Sequence, residues 1–220
     1  MFQIKICGIT NVDDAHAAID AGTDALGFNF YRSSKRFIDH QAARRIADQL
    51  PTSVAKVGVF VDHPLEEILE AAARLRLDYI QLHGNEPPRF LTGLPRSLPI
   101  LLAHRFGSNG FAPLSSYLDE CRALGRMPVA VLLDSDVSGS LGGSGHTIDW
   151  PKVSAVRSIV RDISLILAGG LTATNVGQAV ATVRPDAVDV ASGVECEPGR
   201  KDAALVRQFV AAARNALKEL

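Results

Sequence analysis

The stretch LILAGGLTATNVGQAVATVRPDAVDVASGVE, Leu165–Glu195, decides the fold. Leu165–Ala168 is a short apolar run, too short for a helix and closed by Gly169-Gly170. Thr172 or Thr174 is placed to cap a helix over Asn175–Val183, which Pro185 ends. Ala187–Val190 is a second short strand, stopped at Ser192-Gly193. Two parallel strands joined by a helix put both glycine turns at the same, C-terminal edge of one sheet. Glycine lets backbone N–H groups approach an anion with no Cβ in the way, and a following helix N-terminus adds positive potential.

The same alternation extends back to the N-terminus. Strands are expected over Phe2–Ile6, Ala25–Phe30, Ala55–Val61, Tyr79–Leu82, Pro99–Ala103 and Pro128–Leu133. Helices are expected over Val12–Ala21, capped by Thr10 or Asn11, then over His40–Leu50 and Pro64–Leu75. Pro87, Pro88, Pro95 and Pro99 leave room for only a short helix after the fourth strand. Arg105–Met127 starts polar and offers one helix around Ser116–Leu124, so the fifth helix region is expected to be short or irregular. After the sixth strand a glycine- and serine-rich loop precedes a helix near Pro151–Val160, and an amphipathic helix over Asp202–Leu220 ends the chain. Eight strand–helix units at a period of roughly 25 residues imply an α/β fold, a (β/α)8 TIM barrel, with residues 1–220 as a single domain. An open doubly wound sheet is the rival, but no G-x-G-x-x-G follows the first strand and the anion-binding glycines come late. In such barrels the turns after the last two strands commonly hold a phosphate, which makes Gly169, Gly170, Ser192 and Gly193 the candidate phosphate-binding residues. The alternative is that these glycines only make tight turns.

Composition narrows the function classes. Of the 220 residues, 47% are apolar and 21% charged, and the formal net charge is -1. Such a chain can bury a large core and offers no bulk positive field for nucleic acid or an anionic membrane. An anionic substrate would be met locally, by placed N–H groups and single arginines. No apolar run reaches the length of a membrane span, and the first residues have no signal-peptide form. Cys7, Cys121 and Cys196 are an odd number without metal-type spacing, as expected of reduced thiols in a cytoplasmic protein.

In a barrel, the residues just after each strand face one common mouth, where function is sought. Cys7 follows the first strand, and the alternation in Lys5-Ile6-Cys7-Gly8 directs it to one strand face, where a thiolate serves as base or nucleophile. Arg32, Lys35 and Arg36 put positive charge in the loop after the second strand. His83 ends the fourth strand, either lining the mouth or simply bonding the backbone. Asp134 ends the sixth after the apolar run Val129–Leu133, where a partly desolvated mouth favours a carboxyl able to donate a proton. Asp189, between Val188 and Val190, is either a substrate contact or a paired structural acid. No Cys/His spacing argues for a metal, no G-x-S-x-G elbow for a hydrolase, and no cofactor motif is found.

These residues sit in segments that together resemble the phosphoribosylanthranilate isomerases of tryptophan biosynthesis. The segments are KICGIT at Lys5–Thr10, DALGFNFY at Asp24–Tyr31, VGVFVD at Val57–Asp62 and IQLHGNE at Ile80–Glu86. They continue with LLDS, GGSG and DW across Leu132–Trp150, AGGLTATNV at Ala168–Val176, and VDVASGVE with PGRKD across Val188–Asp202. The resemblance implies an Amadori rearrangement needing neither metal nor cofactor. It implies Cys7 as general base and Asp134 as general acid, with Arg36 against the anthranilate ring and His83 lining the pocket, and Asp189 is kept beside them as a candidate substrate contact. It also implies a small phosphorylated substrate held on backbone N–H groups, and a monomer or homodimer. The chain departs from the family pattern at Ser34-Lys35-Arg36, where S-P-R is usual, and at Val190-Ala191-Ser192-Gly193, where V-S-S-G is usual.

Two other functions fit the same barrel. One is an isomerase of a substrate with two phosphates, which needs a second anion site that nothing on the early strands offers. The other is a barrel that binds a phosphorylated metabolite without turnover, against which the Cys7 and Asp134 pair argues.

Overall fold

The computed structural model describes residues 1–106, 111–135 and 150–220. Eight parallel strands, β1 (Ile4–Cys7), β2 (Ala25–Asn29), β3 (Ala55–Phe60), β4 (Tyr79–Leu82), β5 (Ile100–Phe106), β6 (Ala130–Ser135), β7 (Ser164–Leu167) and β8 (Ala187–Val190), pair in sequence order. The β1–β8 pairing, Lys5 beside Asp189, closes them into a barrel. Around it lie α1 (Val12–Asp20), α2 (His40–Ala47), α3 (Leu65–Leu75), α4 (Ala112–Ala123), α5 (Trp150–Val153), α6 (Val176–Val183) and α7 (Ala203–Lys218). The short helix expected after the fourth strand is a 3₁₀ helix over Pro88–Gly93. One feature lies outside the eight-unit plan read from sequence: a small antiparallel hairpin, β9 (Glu195–Glu197) with β10 (Arg200–Lys201), follows β8. Among the described residues no helix is long and apolar enough to cross a membrane.

Short polar side chains set the helix starts. Asn11 Oδ1 accepts from the N–H of Asp14, Asp39 Oδ1 from Ala42, and Asp202 Oδ1 from Ala204 and Leu205. Asn11, rather than Thr10, therefore caps α1. Neither Thr172 nor Thr174 caps α6. Asn175 takes the cap position and its amide reaches back, accepting from the N–H of Thr172 and donating to Gly170 O.

Other boundaries differ from expectation for identifiable reasons. The helix after β5, expected to be short or irregular, is a regular 12-residue element starting at Ala112, because Pro113 fits the first turn, where its missing N–H costs nothing. β5 runs on through His104, Arg105 and Phe106, polar residues at the barrel rim. β6 includes Asp134 rather than stopping before it. The predicted helix near Pro151–Val160 is one turn of α5 and then a 3₁₀ segment over Ser154–Ser158. The glycine- and serine-rich loop, with GGSG at Gly142–Gly145, lies outside the described residues.

Strand side chains alternate faces, so the register fixes what enters the barrel. One cluster faces the helices and contains Ile4, Ile6, Leu26, Phe28, Val131, Leu133 and Val188, among others. A second, smaller cluster fills the barrel floor with Ala25, Val57, Leu101, Ala130, Leu132, Ile166 and Ala187. On β6 and β8 the inward positions turn polar two residues further along, at Asp134 and Asp189, and on β2 and β5 four residues further, at Asn29 and Arg105. This step from apolar floor to polar mouth makes the site.

Candidate active site

The recess at the C-terminal end of the barrel is lined by Cys7, Asn29, Tyr31, Ser34, Arg36, Val59, Gln81, His83, Arg105, Asp134, Asp189 and Ala191, among others. A second recess is lined by Gly169, Gly170, Leu171, Val190, Ser192 and Gly193 and shares Asp134, Asp189 and Ala191 with the first. The two are one continuous site. It brings together Cys7, Arg36, His83, Asp134, Asp189, Gly169, Gly170, Ser192 and Gly193, whereas Arg32 and Lys35 are not in its lining.

Cys7 ends β1 and is 9% exposed. It pairs in register with Gly27, and a Cβ on Gly27 would lie 2.8 Å from the Cys7 sulfur, so glycine there leaves room for the thiol. Burial pushes the Cys7 thiol up, while the Lys5 ammonium pulls it down and the Asp189 carboxylate adds to the rise. Lys5 is completely buried, with its Nζ 2.8 Å from Asp189 Oδ1. Burial opposes the Lys5 charge, but the pairing with Asp189 prevails and holds the ammonium above the ordinary lysine range. Asp189 is thus a paired acid and also part of the recess wall.

Asp134 enters from β6, with His83 Nε2 3.5 Å from its Oδ2. The other ring nitrogen of His83 lies 3.1 Å from Gln81 Nε2. With the Gln81 amide nitrogen assigned to that position it donates to His83 Nδ1, an arrangement that goes with the tautomer carrying its ring proton on Nε2, on the side of Asp134. Arg105 Nη2 donates to the His83 carbonyl at 2.9 Å and fixes the end of β4.

Arg36 is held from two sides. Its stem crosses the backbone at Gly8, whose φ is +77°, and a Cβ there would lie 2.5 Å from Arg36 Cδ. Its guanidinium is bidentate to Glu195, with Nε–Oε1 at 2.7 Å and Nη2–Oε2 at 2.6 Å. Burial opposes the Arg36 charge, but the Glu195 pairing outweighs it and raises its pKa. Glu195 also accepts from the buried Lys201 Nζ at 2.8 Å, and Lys201 donates to Ala191 O at 3.0 Å. For Glu195, too, burial loses to its two cations, and the carboxyl is held below its ordinary range. The loop lacks the usual proline but is ordered by side chains. Ser34 Oγ accepts from the Arg36 N–H and from Asn29 Nδ2, both at 3.1 Å.

The two glycine turns touch. A Cβ on Gly193 would lie 1.8 Å from Leu171 O, so the β7 and β8 turns approach only because Gly193 has no side chain. Gly169 and Gly170 have φ of +81° and +65°, a conformation natural to glycine. Gly193→Ala should therefore spread the turns and destabilise the fold by about 1–3 kcal/mol. A thermal melt matching that of the unaltered protein would show that the close approach is dispensable.

The sequence reading missed Glu195, Lys201, Gln81, Arg105 and the inward Lys5. For Lys5 the signal was present, since the alternation that turns Cys7 inward turns Lys5 inward as well. Glu195 and Lys201 act through a hairpin that no strand pattern announced.

Comparison with known proteins follows the same outline. The sequence profile of N-(5'phosphoribosyl)anthranilate (PRA) isomerase, PRAI, matches residues 4–212. N-(5'-phosphoribosyl)anthranilate isomerase of Thermotoga neapolitana is 44% identical over 214 residues, covering 97% of this chain and 99% of the relative. The crystal structure of phosphoribosyl anthranilate isomerase from Thermotoga maritima superposes with a TM-score of 0.86 at 38% identity, over 98% of this chain and 100% of that one. A crystal structure of the enzyme in complex with reduced 1-(o-carboxyphenylamino)-1-deoxyribulose 5-phosphate gives a TM-score of 0.83 at 36% identity, over 98% and 100% of the two chains. A closed eight-stranded barrel, a profile match over nearly the whole chain and relatives of this identity leave one assignment: the chain belongs to the N-(5'-phosphoribosyl)anthranilate isomerase family.

Proposed function

We propose that Cys7 and Asp134 are the general base and general acid of this isomerase. The reaction is the Amadori rearrangement of N-(5-phosphoribosyl)anthranilate to 1-(2-carboxyphenylamino)-1-deoxy-D-ribulose 5-phosphate, a step of L-tryptophan biosynthesis. The observation that carries this reading is that both side chains line one recess, which opens directly onto the glycine turns. Asp134 gives its proton to the ribose ring oxygen as the C1'–oxygen bond breaks, and the anthranilate nitrogen lone pair forms the iminium. The Cys7 thiolate takes the proton from C2', the C–H electrons form the enamine double bond, and tautomerisation leaves the ketone. Acid and base act on different atoms of one sugar, which suits side chains arriving from separate strands.

Substrate holding divides between the two ends of the site. The phosphate sits on the turns at Gly169, Gly170, Ser192 and Gly193. Arg36 meets the anthranilate, while His83 and Asp189 line the space between. The whole chain acts as one catalytic domain, in the cytoplasm, as a monomer or homodimer. The bound product analogue in the related crystal structure supports a phosphorylated, aryl-substituted substrate here. Conversion of N-(5-phosphoribosyl)anthranilate, followed by loss of anthranilate fluorescence, tests the reaction. A pure, folded protein that fails to convert it would end the proposal.

Glu195 holds Arg36 rather than touching substrate, so its replacement should act mainly on binding. Glu195→Gln removes a charge-assisted pairing of roughly 1.5–3 kcal/mol. The expected result is a KM raised about tenfold with kcat changed far less. Equal falls in kcat and kcat/KM would instead place Glu195 in the chemical step.

A further inference from the structure

Cys7 has to ionise in a place that disfavours a thiolate. It is nearly buried, and an acid, Asp189, stands beside it. Yet the next inward residue of β1, Lys5, is a lysine, and nothing in the reaction as described uses it.

We propose that Lys5 is a positioning residue for the reaction, its buried ammonium holding the Cys7 sulfur as a thiolate ready to take the C2' proton. This rests on the reading of Cys7 as the base. Three observations support it. Lys5 and Cys7 are two residues apart on one strand, so both project inward from the same face. A Cβ on Gly27 would lie 2.8 Å from Cys7 Sγ and 3.1 Å from Lys5 Cε, so the two side chains lie together over that glycine. Lys5 Nζ has three N–H donors, and Asp189 Oδ1 takes one at 2.8 Å, which anchors the ammonium and leaves donors for the neighbouring sulfur. A lysine with no exposed surface is unusual unless it is paired, and here the pairing fixes a positive charge beside the base. The pairing also keeps Lys5 protonated despite its burial.

The charges facing Cys7 come from every wall. Lys5 lies below it on β1 and Asp189 beside it on β8. Lys201 approaches from the hairpin, Arg36 from the β2 loop, and Asp134 and His83 from across the recess. Of the cations, Lys5 sits closest in the strand and cannot be replaced by solvent. Proton accounting is simple: the thiolate becomes a thiol in the step, and Lys5 keeps its proton throughout.

The test reads Cys7 itself rather than turnover. Alkylation of the native protein by iodoacetamide, followed across pH at the Cys7 peptide by mass spectrometry, gives the pH at which half the thiol is ionised. Lys5→Met should move that midpoint up by about one unit or more, about tenfold less thiolate at a fixed lower pH. Asp189→Asn should move it down, because the ammonium, having lost its carboxylate, then takes the Cys7 thiolate as its anionic partner. Opposite shifts from the two halves of one ion pair are not what a purely structural role gives. Lys5→Gln keeps an N–H donor for Asp189 and removes only the charge, so it should again shift the midpoint up if Lys5→Met does not fold. An unchanged or lowered midpoint in the folded Lys5→Met or Lys5→Gln protein overturns the proposal. Should Cys7→Ala retain full turnover while the Lys5→Met midpoint rises, the base assignment falls and the ionisation control stands.

Discussion

Cys7→Ala is expected to lower kcat by roughly a hundred- to ten-thousandfold while the protein still folds. The thiol is small and sits against Gly27, so its loss removes one heavy atom from a position that already adjoins the open recess. The stability cost should be on the order of 1 kcal/mol. No other described side chain that lines the recess stands in the same place. Asp134 and His83 enter from other strands, and the Arg36 guanidinium is committed to Glu195. KM should change little, because the phosphate and ring ends of the site are untouched. A thermal melt and steady-state kinetics on the same preparation check both halves, and near-normal kcat in a folded Cys7→Ala protein would remove Cys7 from the chemistry.

The second large effect is expected at Asp134. Asp134→Asn keeps the shape and the contact with His83 but cannot deliver a proton to the ring oxygen, so kcat should again fall by roughly a hundredfold or more. The two variants are separable by where the reaction stops. Without the acid, ring opening is slow and little iminium forms. Without the base, ring opening continues and the C2' proton stays in place, so ring opening without loss of deuterium from C2' is expected in Cys7→Ala alone. If Asp134→Asn opened the ring at the normal rate, the acid would have to be sought elsewhere on the recess wall.

Much of this was legible because the barrel repeats one grammar. Short apolar runs, each followed by polar residues or glycine and then a capped helix, were enough to place eight strands in order. Strand ends named the site, since position along a strand and position at the mouth are the same thing here. What stayed hidden was long-range. The pairing of Lys5 with Asp189 spans 184 positions and that of Arg36 with Glu195 spans 159, and neither follows from local pattern. Asn175 was read as the first residue of a helix and proved to be the cap that ties the glycine turn, because an amide can serve its own helix start and the loop before it. The length of α4 was missed because the expected helix begins at Ser116, whereas the helix starts at Ala112 with Pro113 already inside the first turn.

The alternating faces of the strands carry one more implication. In β1 the odd-numbered residues Lys5 and Cys7 look toward the axis, while in β6 the even-numbered Ala130, Leu132 and Asp134 do. Each strand therefore has its own parity, and nothing requires neighbours to agree. A residue gained or lost in a connecting loop leaves every parity intact. The same change between Lys5 and Cys7 would turn one of the two toward the helices and separate cation from sulfur, with both residues still present. Strand facing thus survives length variation between strands and not within them.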